Sequence, residues 1–145
     1  MQMPHYLINA NTDRSIYRFD SIGKKGTIKK IVSFALLPNY ENVYNLAMGD
    51  YVDDKINYGN ITDNKDLEKV FSTVAQTVIE FLETHPNAMV YVEGDEPRKT
   101  RLYRINISVN IELIKQDYEV LGLLETGLEE YKPNADYIAF LISKK

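Results

Sequence analysis

The chain has 145 residues, 17 basic and 21 acidic side chains for a formal net charge of −4, 44% apolar content and no cysteine. That length suits a single domain, 1–145, large enough for a hydrophobic core, and the composition lies outside the disordered range. Disulfides, thiolate metal centres and cysteine nucleophiles are excluded, no apolar run approaches the ~18 residues of a membrane span, and the first residues lack the pattern of a signal peptide, so a cytoplasmic domain with no membrane association is expected.

Residues 1–12 carry no periodic pattern and read as a loose N-terminal segment. Residues 14–21 alternate around Tyr17 and Phe19 and predict a strand. Ser21-Ile22-Gly23-Lys24-Lys25-Gly26 follows as a turn, its two glycines supplying positive φ. Residues 27–37 predict a long second strand whose apolar positions do not keep one parity, which suggests a bulge. Residues 43–48 form a third strand. Gly49-Asp50 reads as a turn, and a short fourth strand falls near 54–58. After a loop at 60–66, Leu67, Val70, Phe71, Val74, Val78, Phe81 and Leu82 recur at helical spacing. Asp63 or Asn64 would cap this helix and His85-Pro86 would end it. Residues 88–92 predict a buried strand.

Residues 101–115 fit two periods. Tyr103, Ile105, Ile107, Val109, Ile111 and Leu113 alternate strictly with polar residues, as in a strand. As a helix, the same segment would turn Leu102, Ile105, Val109 and Leu113 to the core and Arg101, Arg104, Ser108, Glu112 and Lys115 to solvent. Residues 118–124 and 136–143 are two further strands, joined by a long turn at 125–135.

The net charge hides a division. Residues 66–97 sum to −6, residues 98–115 to +4 and residues 116–145 to −3, and three of the chain's five arginines lie within Arg98–Arg104.

Several segments together resemble a family of uncharacterised bacterial proteins described only as a domain of unknown function. They are Tyr17-Arg-Phe-Asp-Ser-Ile-Gly23, Gly26-Thr-Ile-Lys-Lys-Ile-Val-Ser-Phe34, Tyr44-Asn-Leu-Ala-Met-Gly-Asp50, Asp63-Asn-Lys-Asp-Leu-Glu-Lys-Val70 and Arg98-Lys-Thr-Arg-Leu-Tyr-Arg104. A looser pattern is similar to small phage-associated proteins. The resemblance implies no reaction. It does imply that the segment Arg101-Leu102-Tyr103 opens a helix, so 99–115 is taken as helical. The expected fold is α+β, a curved antiparallel sheet in the order β-β-β-β-α-β-α-β-β with two helices packed on it. By fold-level analogy alone, a meander followed by a helix also occurs in whirly- and Pur-type folds that bind single-stranded nucleic acid.

Arg98, Lys99, Arg101 and Arg104 at a helix start could grip phosphate, with Tyr103 stacking on a base. The competing reading pairs them with Glu93, Asp95 and Glu96, or with Asp50, Asp53 and Asp54. Lys24 and Lys25 at a hairpin tip, with Lys29 and Lys30 on opposite faces of the strand, form a second basic spot, which would equally serve to blunt a sheet edge. Asp50-x-x-Asp53-Asp54 lacks calcium-loop spacing. No catalytic, metal or cofactor motif stands out. The first expectation is therefore a non-enzymatic module that binds a protein partner or itself through its tyrosine-rich sheet or an edge strand. Single-stranded nucleic-acid binding through Arg98, Arg101 and Arg104 is the alternative. A metal-independent ribonuclease-like toxin using Arg101, Arg104, Tyr103 and Glu93 comes third.

Overall fold

The structure, a computed structural model, describes residues 4–58, 63–94 and 97–145. β1 (Asn9–Ala10), β2 (Ile16–Gly23), β3 (Gly26–Leu36), β4 (Val43–Val52) and β5 (Lys55–Asn57) form an antiparallel meander. Tyr17 and Phe19 of β2, Val32 and Phe34 of β3, and Leu46 and Met48 of β4 point to one face and enter the core, as side chains two apart on a strand must. The register of β3 with both neighbours runs without interruption, so the expected bulge is absent. The parity breaks for another reason. Ile31 lies on the opposite face beside Gly49, and the chain after β5 folds back there. A Cβ on Gly49 would stand 2.6 Å from the Asn57 carbonyl oxygen and 3.0 Å from Tyr58 Cα. Ile31 is thereby 1% exposed although no helix covers it.

Gly49 and Asp50 belong to β4, not to a turn. The turn comes at Asp53 and Asp54, both at positive φ (50° and 62°) between Val52 and Lys55, as a two-residue hairpin loop requires. In the preceding hairpin only Gly26 supplies positive φ, at 86°. Gly23 is needed for proximity instead, since a Cβ there would lie 2.0 Å from the Asn64 carbonyl oxygen.

α1 (Leu67–Thr84) lays Val70, Phe71, Val74, Val78, Phe81 and Leu82 on the inner face of the sheet. Its N-cap is Asp66, whose side chain makes no capping bond, and its C-cap is His85, whose N–H reaches the Phe81 carbonyl. Asn64, expected as a cap, is fully buried and clamps the β2–β3 turn. Its amide donates to the Gly26 carbonyl at 2.8 Å, and its oxygens accept from Lys24 N and Lys25 N.

Because α1 returns the chain along the sheet, β6 (Met89–Val92) runs parallel to β4. α2 (Pro97–Asp117) follows and passes directly into β7 (Tyr118–Leu124). β8 (Gly127–Glu130) and β9 (Ala139–Lys144) complete a sheet ordered β1-β2-β3-β4-β6-β9-β7-β8, with β5 paired to β4. The fold is α+β with the expected element order. β1 and β8 are short additional edges, β8 falling within the expected 125–135 turn. The segment read as loose is docked in the part described: Tyr6 is 9% exposed, its N–H bonds Thr73 Oγ1, and its hydroxyl donates to Asp66 Oδ2 at 2.6 Å. Both helices pack on the same face of the sheet, and among the described residues no helix is long and apolar enough to cross a membrane.

Candidate functional site

Pro97 occupies the first turn of α2, where its missing N–H costs nothing, and no glycine or further proline interrupts the helix to Asp117. Its last turn is tied down by Lys145, whose N–H bonds the Asp117 carbonyl at 2.9 Å and whose ammonium bonds the Lys115 carbonyl at 2.5 Å. The alternating sequence gives this helix two apolar faces, and only one can meet the sheet. The helix is rolled over relative to the sequence reading. Tyr103, Ile107 and Asn110 are buried, while Ile105, Val109 and Leu113 are 46%, 65% and 47% exposed.

The inward face wins through specific partners. Tyr103 packs edge-on against Phe71, ring centroids 5.0 Å apart. Ser108 and the Tyr131 hydroxyl hydrogen-bond each other, and the same hydroxyl reaches the Arg104 carbonyl at 3.3 Å. Arg104 itself donates to Asp136 at 2.8 Å and to the Ala135 carbonyl. These bonds fix the roll of α2 and leave Ile105, Val109 and Leu113 as an outward stripe at i, i+4, i+8. Beside it, a groove of about 210 Å³ runs between Leu67, Glu68 and Phe71 of α1 and Leu102, Ile105 and Val109 of α2.

The basic cluster surrounds a second feature, a cleft of about 560 Å³ whose lining includes Glu93, Gly94, Thr100, Arg101, Arg104 and Asp136. Gly94 lies against the first turn of α2, its N–H bonding Thr100 Oγ1. A Cβ on Gly94 would come within 2.4 Å of the Thr100 nitrogen. Arg101 and Arg104 thus meet Glu93 across one cleft, but Arg104 is committed to Asp136 and Glu93 accepts from the Tyr91 hydroxyl at 2.7 Å. Burial and that bond push the Tyr91 hydroxyl up to about 12.

Other candidates are dispersed. Tyr103, expected to stack on a base, is 9% exposed and belongs to the core. Arg98 and Arg101 are exposed and form no hydrogen bond or ion pair among the described residues, while Lys99 is half-buried. The suggested partners Asp95 and Glu96 lie outside the described residues. Lys24 and Lys25 have exposed side chains at the β2–β3 turn. That turn is held by Asn64 at the entry to α1, whereas Arg101 and Arg104 line the cleft beside Gly94. Lys30 leaves the basic spot altogether. It is 1% exposed on the inner face, with Asp50, 3% exposed, 2.5 Å from its ammonium.

Tyr6, Tyr17, Tyr103, Tyr118, Tyr131 and Tyr137 are buried, only Tyr17 and Tyr118 of them in strands, whereas Tyr44, Tyr51 and Tyr91 of the sheet are half-buried and Tyr40 and Tyr58 are exposed. What the sequence reading missed as a surface is the stripe on α2, because it assigned those residues to the core. The signal was present in the strict alternation, which no single-faced helix can hide.

A model of a family of unknown function matches residues 2–145. No curated protein matches the chain, and no solved structure matches it.

Proposed function

Since the chain belongs to this family of unknown function (DUF6934), which carries no reaction to transfer, we propose from its own surface that it is a non-enzymatic interaction module docking a protein chain on the outward face of α2. The observation that carries this is the exposed run Ile105–Val109–Leu113 beside the apolar groove of Leu67, Phe71 and Leu102. Leaving three branched aliphatic side chains about half in water forgoes roughly 1 kcal/mol each, and contiguous exposed apolar side chains on a folded domain mark contact surfaces. Edge-strand docking has less support. β1 is two residues long, and β8 ends in Glu129 and Glu130, the short and charged edges that resist strand addition. A chain free of cysteine suits a cytoplasmic setting.

Nucleic-acid binding retains Arg98 and Arg101 but loses Tyr103 to the core and Arg104 to Asp136. The ribonuclease reading keeps Glu93, Arg101 and Arg104 around one cleft and loses its tyrosine in the same way. The test of the docking reading is a photo-crosslinking amino acid at position 109 in the intact chain, irradiated in the producing cell. A covalent adduct to a protein chain is expected at position 109 and not at the exposed Leu7 used as control. No adduct at 109 would overturn the reading.

A further inference from the structure

The charges on α2 are arranged against its own dipole. Arg98, Lys99, Arg101 and Arg104 occupy its first eight residues, with no acid in the first turn, while Glu112 and Asp117 lie toward its C-terminal end beside a single cation, Lys115. The N-terminus of a helix carries partial positive charge and the C-terminus partial negative charge, so cations at the start and acids at the end are both unfavourable in an isolated helix. An antiparallel neighbour with the same distribution reverses this, setting each cationic start against the acidic end of the other copy.

The apolar stripe supplies the centre of such a contact. Ile105 and Val109 lie midway between the basic and acidic ends, flanked by Leu102 and Leu113. From 102 to 113 is about 17 Å at ~1.5 Å per residue, roughly three turns. Arg101 and Glu112 are eleven residues apart, which at ~100° per residue puts them within about 20° of each other on one flank of the stripe. A two-fold axis perpendicular to a pair of antiparallel helices keeps a flank on the same side and exchanges its ends. Arg101 of one copy therefore meets Glu112 of the other, and the reciprocal pair forms at the opposite end. Self-complementarity of this kind is what an isologous interface demands and what a surface built for an unrelated partner has no reason to possess. Arg101 has no partner among the described residues, and Glu112, its side chain 83% exposed, has only the exposed Lys115 at 3.4 Å.

We propose that the partner docked on α2 is a second copy of this chain, its α2 antiparallel to the first across a two-fold axis between Ile105 and Val109. This rests on the docking reading above and adds the identity of the occupant.

Sedimentation equilibrium of the full chain tests it. A dimer is expected at tens of micromolar, weakened by salt because its rim is ionic. Val109→Asp places two like charges at the axis and is expected to give a monomer with unchanged circular dichroism, since Val109 is mostly exposed. Arg101→Glu and Glu112→Arg, each alone, are expected to weaken dimerisation about 10-fold, and the two together in one chain to restore it to within about 3-fold of the parent, as complementary charges at an interface rim dictate. Three results would overturn the proposal: a parent chain monomeric at the highest concentration, a dimer indifferent to Val109→Asp, or a double variant no better than the worse single one. The crosslink at position 109 separates the two readings. An adduct of twice the chain mass supports both. An adduct only with a different protein removes self-pairing and leaves docking standing, and no adduct removes both.

Discussion

Two buried polar residues show how local identity decides what the sheet can tolerate. Lys30 sits on the inner face level with Phe19, and burial of its ammonium is offset by the carboxylate of Asp50, its direct cross-strand neighbour. A buried ion pair is weak evidence for net stability, but removing one member leaves an uncompensated charge. Lys30→Met is expected to cost about 3–5 kcal/mol in urea unfolding, and Lys30→Met with Asp50→Leu to recover most of it. A loss equal in the single and double variants would show that the carboxylate is not the reason. Neither residue was legible as a pair. In the sequence Lys30 looks like one of four hairpin lysines and Asp50 like part of an acidic turn, because cross-strand partners twenty residues apart carry no local signal. Asn64 belongs to the same class. Its place before a helical run reads as a cap, whereas its amide satisfies the β2–β3 turn and leaves the capping position to Asp66.

At the scale of elements, α1 was legible because its apolar residues keep one face, and β2 because it alternates. α2 was not legible in its roll. A sequence that alternates strictly over 103–113 offers a helix two apolar faces, and hydrophobic spacing cannot choose between them. The choice was made by groups distant in sequence: Phe71 for Tyr103, Tyr131 for Ser108, and Asp136 for Arg104. This orientation has a direct thermodynamic signature. Tyr103→Ala is expected to cost about 3–5 kcal/mol, while Val109→Ala should stay within about 0.5 kcal/mol, because truncation at an exposed site opens no cavity. Both are read from denaturant midpoints at a protein concentration below dimerisation. Equal losses, or the larger loss at Val109, would mean that the stripe faces the core after all. The candidate surface follows from the same fact, which is why reasoning from periodicity placed its residues inside the protein.

For the whole molecule, what joins the α1 helix to the far half of the sheet is partly ionisable. Glu83 near the end of α1 accepts from the Tyr118 hydroxyl of β7 at 2.8 Å and is paired with Lys144 of β9. The Lys144 bond, and then that of Tyr118, hold the Glu83 carboxyl below its usual range. Burial first, and then the bond to Glu83, push the Tyr118 hydroxyl well above the usual value near 10. Burial also pushes Tyr17 to about 12, as burial and Glu93 do Tyr91. The signs are opposite at the two ends of the pH scale. A tyrosine whose folded pKa is raised contributes stability that is complete below pH 10, where the unfolded chain is still protonated, and that is lost as pH rises through 10 toward the folded values. A carboxyl whose folded pKa is lowered contributes stability present above its unfolded value and lost as pH falls through the folded one. Denaturant unfolding as a function of pH should therefore be flat from about pH 7 to 9 and decline from pH 10 upward, with tyrosinate absorbance in the folded chain lagging that of the unfolded chain. Tyr118→Phe removes a late-ionising phenol and one of the two bonds that hold Glu83 ionised. It should lessen the alkaline decline and raise the Glu83 pKa toward the ordinary carboxylate value, the latter followed by NMR. An alkaline decline that begins below pH 9, or one that Tyr118→Phe leaves unchanged, would show that this clasp between α1, β7 and β9 does not govern the stability of the fold.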